Sequence, residues 1–195
     1  MNATATRPGA SCMSTHAAHR RTLSVTDYLN GEEHSEIRHE YLGGKIYPRD
    51  DASTLNFLIT GSLITMVLPA SRVHACRSTF KLKLDTSGET TFYYPDLMVV
   101  CNPKDSHPLY ATQPCLIIEV LSETTERIDR REKMLAYQTL PSLQEYVLVA
   151  QDYRQIEIYR RRSNWLPEIY TDGAFTLECL DLTTPVAEVY QDLAD

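Results

Sequence analysis

Polar and apolar positions divide the chain into segments of two periods. Ser24 suits a helix N-cap, and 26–29 a short helix ending at Gly31. The run Arg38-His-Glu-Tyr-Leu-Gly-Gly-Lys-Ile-Tyr has the form of a hairpin, with Gly43-Gly44 in the turn and Tyr41, Ile46 and Tyr47 on the strands. Leu55, Leu58/Ile59, Ser62/Leu63 and Met66/Val67 recur at helical spacing, and Pro69 is expected to end that run. Phe80, Leu82 and Leu84 alternate with Thr79, Lys81 and Lys83, predicting a strand with one buried face and one solvated basic face. Gly88 turns the chain into a second strand over 92–101, with Pro95 near its start.

The segment 115–121 is almost wholly apolar, the pattern of a central strand buried on both faces. Asp129 and Glu132 have capping-box spacing, so a helix is expected from there to Leu140, before Pro141. Strands follow over 145–150 and 155–160; 165–170 pairs with the latter, and 177–180 makes a last short strand. The order helix, hairpin, helix, strands, helix, strands predicts an α/β fold, one domain built on a mixed central sheet flanked by helices. There is no internal repeat.

Composition adds boundaries. A chain of 195 residues, 43% hydrophobic and 23% charged, can bury a core without staples. Residues 1–22 contain Arg7, Arg20 and Arg21, no acid and no apolar core, so they are expected to be a disordered extension to a folded domain over 23–195. The longest uncharged stretch, between Asp51 and Arg72, holds enough Ser, Thr and Asn to predict a buried helix; nothing calls for a membrane partner. The five cysteines are odd in number and lack CxxC spacing, which disfavours a disulfide framework and a structural zinc site. Reduced, mostly buried thiols in a cytoplasmic protein are expected instead. No HExxH or GxSxG motif supports a zinc or serine hydrolase.

The net charge of -7 argues against an indiscriminate nucleic-acid coat. The excess is local, however. Seven acids and no base follow Pro167, and the rest of the chain holds 19 acids against 19 bases. A neutral body remains compatible with a nucleic-acid partner.

Two carboxylates stand out. Asp96 opens the apolar run Leu97-Met-Val-Val, and Glu119 interrupts Leu116-Ile-Ile-Glu-Val-Leu. An ionised acid in a dry strand costs several kcal/mol, in order-of-magnitude terms, unless it is paired or holds a metal. Acids on adjacent strands would suit a hard divalent cation; Glu119 could equally be satisfied by an arginine, or end a strand in solvent. Lys133 lies in the following helix, four residues after Asp129. It is either half of an exposed i, i+4 pair worth about 0.3–0.5 kcal/mol or a cation aimed at the two acids. Arg160, Arg161 and Arg162 are expected to form a basic loop with no ligand.

The segments 38–46, Tyr94-Pro-Asp-Leu-Met-Val-Val, 116–137 and Leu143-Gln-Glu-Tyr-Val-Leu-Val together resemble the Uma-two family of restriction endonucleases, within the PD-(D/E)XK nuclease superfamily. The resemblance covers roughly 23–190 in the family's motif order. It implies a restriction-endonuclease-like fold, with an N-terminal helix and hairpin, and Mg²⁺- or Mn²⁺-dependent hydrolysis of phosphodiester bonds in DNA. Carried over by position, Asp96 matches the metal-binding Asp, Glu119 the acid of the second half-motif, and Glu40 the acid of the preceding element. Leu121 stands where the superfamily usually has Lys, and Lys133 is the matching position here. Asn56 occupies a place where many members carry His. Arg127, Arg130 and Arg131, beside Lys133, either hold flanking phosphates or form a solvated helix face. A homodimer is implied by resemblance; Trp165, Leu166 and Ile169 either serve its face or close the core. A non-catalytic nucleic-acid-binding or protein-interaction module on the same fold is the alternative.

Overall fold

The computed structural model describes residues 22–49, 53–86 and 88–193. The extension expected over 1–22 lies outside these, apart from Thr22, as do Cys12 and Asp51. Helix α1 spans Val25–His34, and the Ser24 hydroxyl caps it by accepting from Asp27 N–H at 3.1 Å. It runs past Gly31 because Glu32 anchors its last turn. That carboxylate accepts from Tyr94 Oη at 2.7 Å and from His39 N–H at 3.2 Å. The hairpin forms as expected from β1 (His39–Leu42) and β2 (Lys45–Pro48), with Gly43 and Gly44 at φ of 53° and 93°.

Helix α2 spans Thr54–Val73, so Pro69 lies inside it and does not end it. The face carrying Ile59, Leu63 and Val67 is fully buried, and that packing outweighs one missing backbone donor. The helix is long and apolar enough to cross a membrane by those criteria alone, with a mean hydropathy of 1.4, despite its Ser, Thr and Asn. Here it is a core helix laid on a sheet.

The two long strands expected after it are each divided. β3 (Arg77–Thr79) precedes β4 (Leu82–Thr86), and β5 (Glu89–Tyr93) precedes β6 (Leu97–Val100). The breaks at Phe80-Lys81 and Tyr94-Pro95-Asp96 carry the chain between sheets. Alternation cannot reveal such a transfer, because both halves keep a buried face. Phe80 is exposed at the crossing. Lys81 is not solvated as expected; its ammonium sits over the rings of Tyr28, Phe92 and Tyr94 at 4.8, 5.6 and 5.3 Å.

β7 (Leu116–Leu121) is buried throughout. Next comes helix α3, made of three contiguous pieces: Glu126–Ile128, a π-helical turn Asp129–Lys133, and Met134–Gln138. Asp129 is therefore inside the helix and not its cap. β8 (Glu145–Ala150), β9 (Ile156–Arg160), β10 (Pro167–Tyr170), β11 (Ala174–Leu177), β12 (Leu182–Pro185) and helix α4 (Val186–Val189) complete the order. The last short strand expected over 177–180 is instead the end of β11 followed by a 3-10 turn.

Among the described residues, a six-stranded sheet runs β10-β9-β8-β7-β6-β3, a four-stranded sheet runs β2-β1-β5-β4, and β11 pairs with β12. In the larger sheet β7 and β8 are parallel and the other pairs antiparallel, so the sheet is mixed; α3 is the crossover the parallel pair requires. Alternate residues of β7 serve two layers. Leu116, Ile118 and Val120 face α2, whereas Ile117 and Leu121 join Tyr137 and Tyr146 beneath α3. Glu119 belongs by alternation to the second face.

The cysteine expectation fails. Cys76 is joined to Cys101 and Cys115 to Cys179, all four half-buried. They come from four separate segments, so their spacing along the chain carried no sign of the pairing.

Candidate active site

Asp96 lies one step beyond the Leu97–Ile118 pair, which places it beside Glu119 across the β6–β7 ladder. The two are bonded reciprocally. Asp96 N–H donates to Glu119 Oε2 at 3.3 Å, and Val120 N–H donates to Asp96 Oδ2 at 2.7 Å. Neither acid ends a strand in solvent; they are 8% and 2% exposed.

Lys133 completes the centre from α3. Its ammonium lies 3.2 Å from Glu119 Oε1, 3.3 Å from Glu40 Oε1 and 3.0 Å from Asp129 Oδ1. The Asp129–Lys133 pair is thus buried and not the exposed pair that spacing alone allows. The π-helical turn contains both residues, and such turns recur at functional sites. Glu40 reaches the same ammonium from β1 of the smaller sheet, so both sheets and α3 build the site. Tyr137, one helical turn beyond Lys133, donates its hydroxyl to Glu119 Oε1 at 2.9 Å. Leu121 shares the Glu119 face but is packed into the apolar cluster with Tyr137 and Leu148. A lysine is not needed there, because α3 lies over that face and supplies Lys133.

Asp96, Glu119, Glu40, Asp129 and Lys133 line one cavity of about 460 Å³, together with Arg49, Asn56, Tyr93 and Glu132. The Arg49 guanidinium makes an ion pair with Asp96 Oδ1. Asn56 donates from Nδ2 to Val120 O at 3.2 Å, beside Glu119. Burial pushes the Glu119 carboxyl well above the usual glutamate range, against the opposing pull of Lys133. Burial works against the charge on Lys133 as well, but Glu119, Asp129 and Glu40 outweigh it and hold the ammonium firmly protonated.

The residues fit a divalent cation. Five carboxylates line the cavity, on Asp96, Glu119, Glu40, Asp129 and Glu132, against Lys133 and Arg49 among the described lining residues. Asp129 Oδ1, though close to Lys133, makes no well-aligned hydrogen bond and is buried. The donor set is hard oxygen, and the carboxylates outnumber the cations, an excess that a divalent ion would offset.

The three arginines beside Lys133 separate. Arg130 is committed within the protein, forked onto Glu157 at 2.7 and 2.8 Å and bonded to Glu126 at 2.7 Å. Arg127 and Arg131 are exposed, and no ion pair holds them among the described residues. The run 160–162 is not a free basic loop. Arg160 is buried against Glu145 and Glu168, Arg161 donates to the carbonyl of Leu143 at 2.7 Å, and Arg162 pairs with Glu178 at 2.6 Å. Trp165 is packed beside Arg161, whereas Leu166 and Ile169 are exposed.

Sequence patterns missed Arg49, Asp129 and Tyr137 as members of this site. The i, i+4 steps from Asp129 to Lys133 to Tyr137 were a usable signal of a shared helix face. Nothing comparable marked Arg49.

The family model Uma2, described as "Putative restriction endonuclease", matches residues 25–187. Two proteins of Synechocystis sp. are similar. Uncharacterized protein slr1290 is 32% identical over 177 residues, covering 88% of this chain and 93% of its own. Uncharacterized protein sll1609 is 32% identical over 146 residues, covering 72% and 82%. The crystal structure of a putative nuclease belonging to DUF820 from Anabaena variabilis superposes with a TM-score of 0.65 at 15% identity, covering 80% of this chain and 92% of that one. That likeness shows a shared mixed α/β, nuclease-like fold. With the family model spanning nearly the whole described region, the chain belongs to the Uma2 family of restriction-endonuclease-like proteins.

Proposed function

We propose that this protein is a metal-dependent endonuclease that hydrolyses phosphodiester bonds in DNA. The observation that carries the reading is the convergence of Asp96, Glu119, Glu40 and Lys133, from four elements, on one open cavity. Asp96, Glu119 and Glu40 are the residues that would hold Mg²⁺ or Mn²⁺, with Arg49 giving up Asp96. Such an ion lowers the pKa of a bound water and polarises a phosphate oxygen.

The protein's own groups account for the remaining roles. Lys133 is protonated, so it acts as a hydrogen-bond donor and fixed positive charge towards the phosphate, not as the base. Tyr137 and Asp96 N–H hold the two Glu119 oxygens in place. Arg49, at the cavity wall, is available to a substrate phosphate once released from Asp96. Arg127 and Arg131 are free to meet flanking phosphates, a role that Arg130 cannot share while forked onto Glu157.

The test is one incubation. Wild type and Glu119→Ala are mixed with supercoiled, linear and single-stranded DNA, with Mg²⁺, with Mn²⁺ and with chelator. Cleavage by wild type alone, abolished by chelator, is expected. Intact DNA in every wild-type lane, or equal cutting by the variant, defeats the proposal. The Arg49–Asp96 ion pair favours a second reading, a non-catalytic module whose cavity is closed by its own arginine. An Arg49→Ala variant that still cuts nothing while wild type is also inert supports that second reading.

A further inference from the structure

Four cysteines gather at the end of the β6–β7 pair opposite to Asp96 and Glu119. Cys101 follows β6 and Cys115 precedes β7; Cys115 N–H donates to Val99 O at 2.8 Å. Cys76 precedes β3, and the Arg77–Val100 register carried one step outward sets it beside Cys101. Cys179 sits in the 3-10 turn after β11. Its N–H donates to Glu145 Oε2 at 2.8 Å, and Glu145 is itself held by Arg160 at 3.0 Å. Each sulfur therefore hangs from backbone that strand pairing or a buried ion pair already positions.

Disulfides join the sulfurs in pairs, but the two pairs touch. Cys101 Sγ and Cys115 Sγ are 3.5 Å apart, and the sulfurs of Cys101, Cys115 and Cys179 all lie within 4.8 Å of one another. A covalent framework gains by distributing its bridges. Here both bridges occupy one spot, and Cys76–Cys101 crosslinks strands that are already hydrogen-bonded. In a tetrahedral zinc–thiolate centre the metal–sulfur bonds of about 2.3 Å set sulfur–sulfur edges of about 3.8 Å. The Cys101–Cys115 contact is close to that edge.

We propose that in the reduced protein these four cysteines form a thiolate site for one zinc ion, and that the disulfide pairs are its oxidised, metal-free form. Each disulfide takes two electrons and two protons from a dithiol reductant, which becomes a disulfide in turn. The four thiols then release four protons as they bind the cation. Soft sulfur selects zinc here, while the oxygen donors around Asp96 suit Mg²⁺ or Mn²⁺, so the two sites would take different metals. The ion would tie β3, β6, β7 and the turn after β11 together, bracing the sheet that presents Asp96 and Glu119 without touching either.

The full chain is reduced with a phosphine, stripped with chelator and titrated anaerobically with Co²⁺, then with Zn²⁺. Expected are thiolate-to-cobalt charge-transfer bands and tetrahedral ligand-field bands that saturate at one Co²⁺ per chain and vanish on adding Zn²⁺. Glu119→Gln should keep them, and Cys115→Ser should weaken or lose them. A cobalt complex without thiolate charge transfer, an intensity below that of four thiolates, or identical spectra for wild type and Cys115→Ser overturns the proposal. If Cys115→Ser fails to fold, the wild-type band intensity still counts the thiolates and decides.

Discussion

At the level of single residues, the site is held together by one ammonium shared among three acids. Lys133→Met leaves Glu40, Glu119 and Asp129 without their common counter-charge. Removing one partner from a buried ion pair costs about 3–5 kcal/mol, so urea unfolding of this variant should show a loss of that order, together with loss of cleavage. Glu119 and Glu157 give opposite pH dependences. Burial raises the Glu119 carboxyl against the pull of Lys133, so the folded chain keeps a proton that the unfolded chain has released. In chelator, this group's contribution to stability is complete below the ordinary glutamate range and is lost as pH rises through the raised value. Wild-type Tm should therefore fall over that interval more steeply than the Tm of Glu119→Gln; equal slopes would refute this. Burial opposes the charge on Glu157 too, but the Arg130 fork and the Tyr159 hydroxyl prevail and hold it below the usual range. Its contribution is present above the ordinary value and lost as pH falls through the lowered one. Glu157→Gln should lose stability relative to wild type near neutral pH, with the gap closing in acid.

At the level of elements, α2 and α3 decide which side chains reach the cavity. The Ser53 hydroxyl accepts from Asn56 N–H at 3.0 Å and donates to Gln151 Oε1 at 2.8 Å, so it both caps α2 and ties the helix start to the end of β8. Ser53→Ala should cost about 1 kcal/mol by loss of the cap. It should also reduce cleavage more than that loss implies, because Asn56 and its bond to the Val120 carbonyl move with the first turn; a thermal melt beside an activity assay separates the two effects. The hairpin and β7 were legible in the chain, since two glycines permit only a tight turn there and six consecutive buried positions leave little else. The breaks that split two strands between sheets were not legible, because periodicity reports that a residue is buried and not which sheet buries it. Pro69 misled for a related reason. Local rules end a helix there, and packing of Ile59, Leu63 and Val67 on the larger sheet carries it to Val73.

At the level of the whole molecule, the acidic balance acquires an address. Glu168 and Glu178, in the acid-rich C-terminal stretch, are bound to Arg160 and Arg162, which removes that basic run from any nucleic-acid surface. The expected contact with DNA is then small and screened by salt. Changing Arg127 and Arg131 together to Glu should weaken DNA binding and flatten its salt dependence while leaving Tm nearly unchanged. Each lost phosphate contact should remove about 0.9 from the logarithmic salt slope for duplex DNA. The homodimer implied by the resemblance predicts that light scattering returns twice the chain mass of 22.2 kDa; a monomer would overturn that expectation alone.

By itself the sequence determined the fold class, the hairpin and the buried strand, and it singled out Asp96, Glu119 and Lys133 as candidates on which the proposed function is built. Those follow from side-chain chemistry and local periodicity, both properties of neighbours along the chain. Only the tertiary structure decided that Arg49 shares their cavity, that Arg130 is committed to Glu157, and that four cysteines meet at one end of the sheet. Each of these joins elements distant in sequence. Ion pairing, burial and metal binding depend on distances in space, which strand pairing and helix packing set and residue spacing does not record.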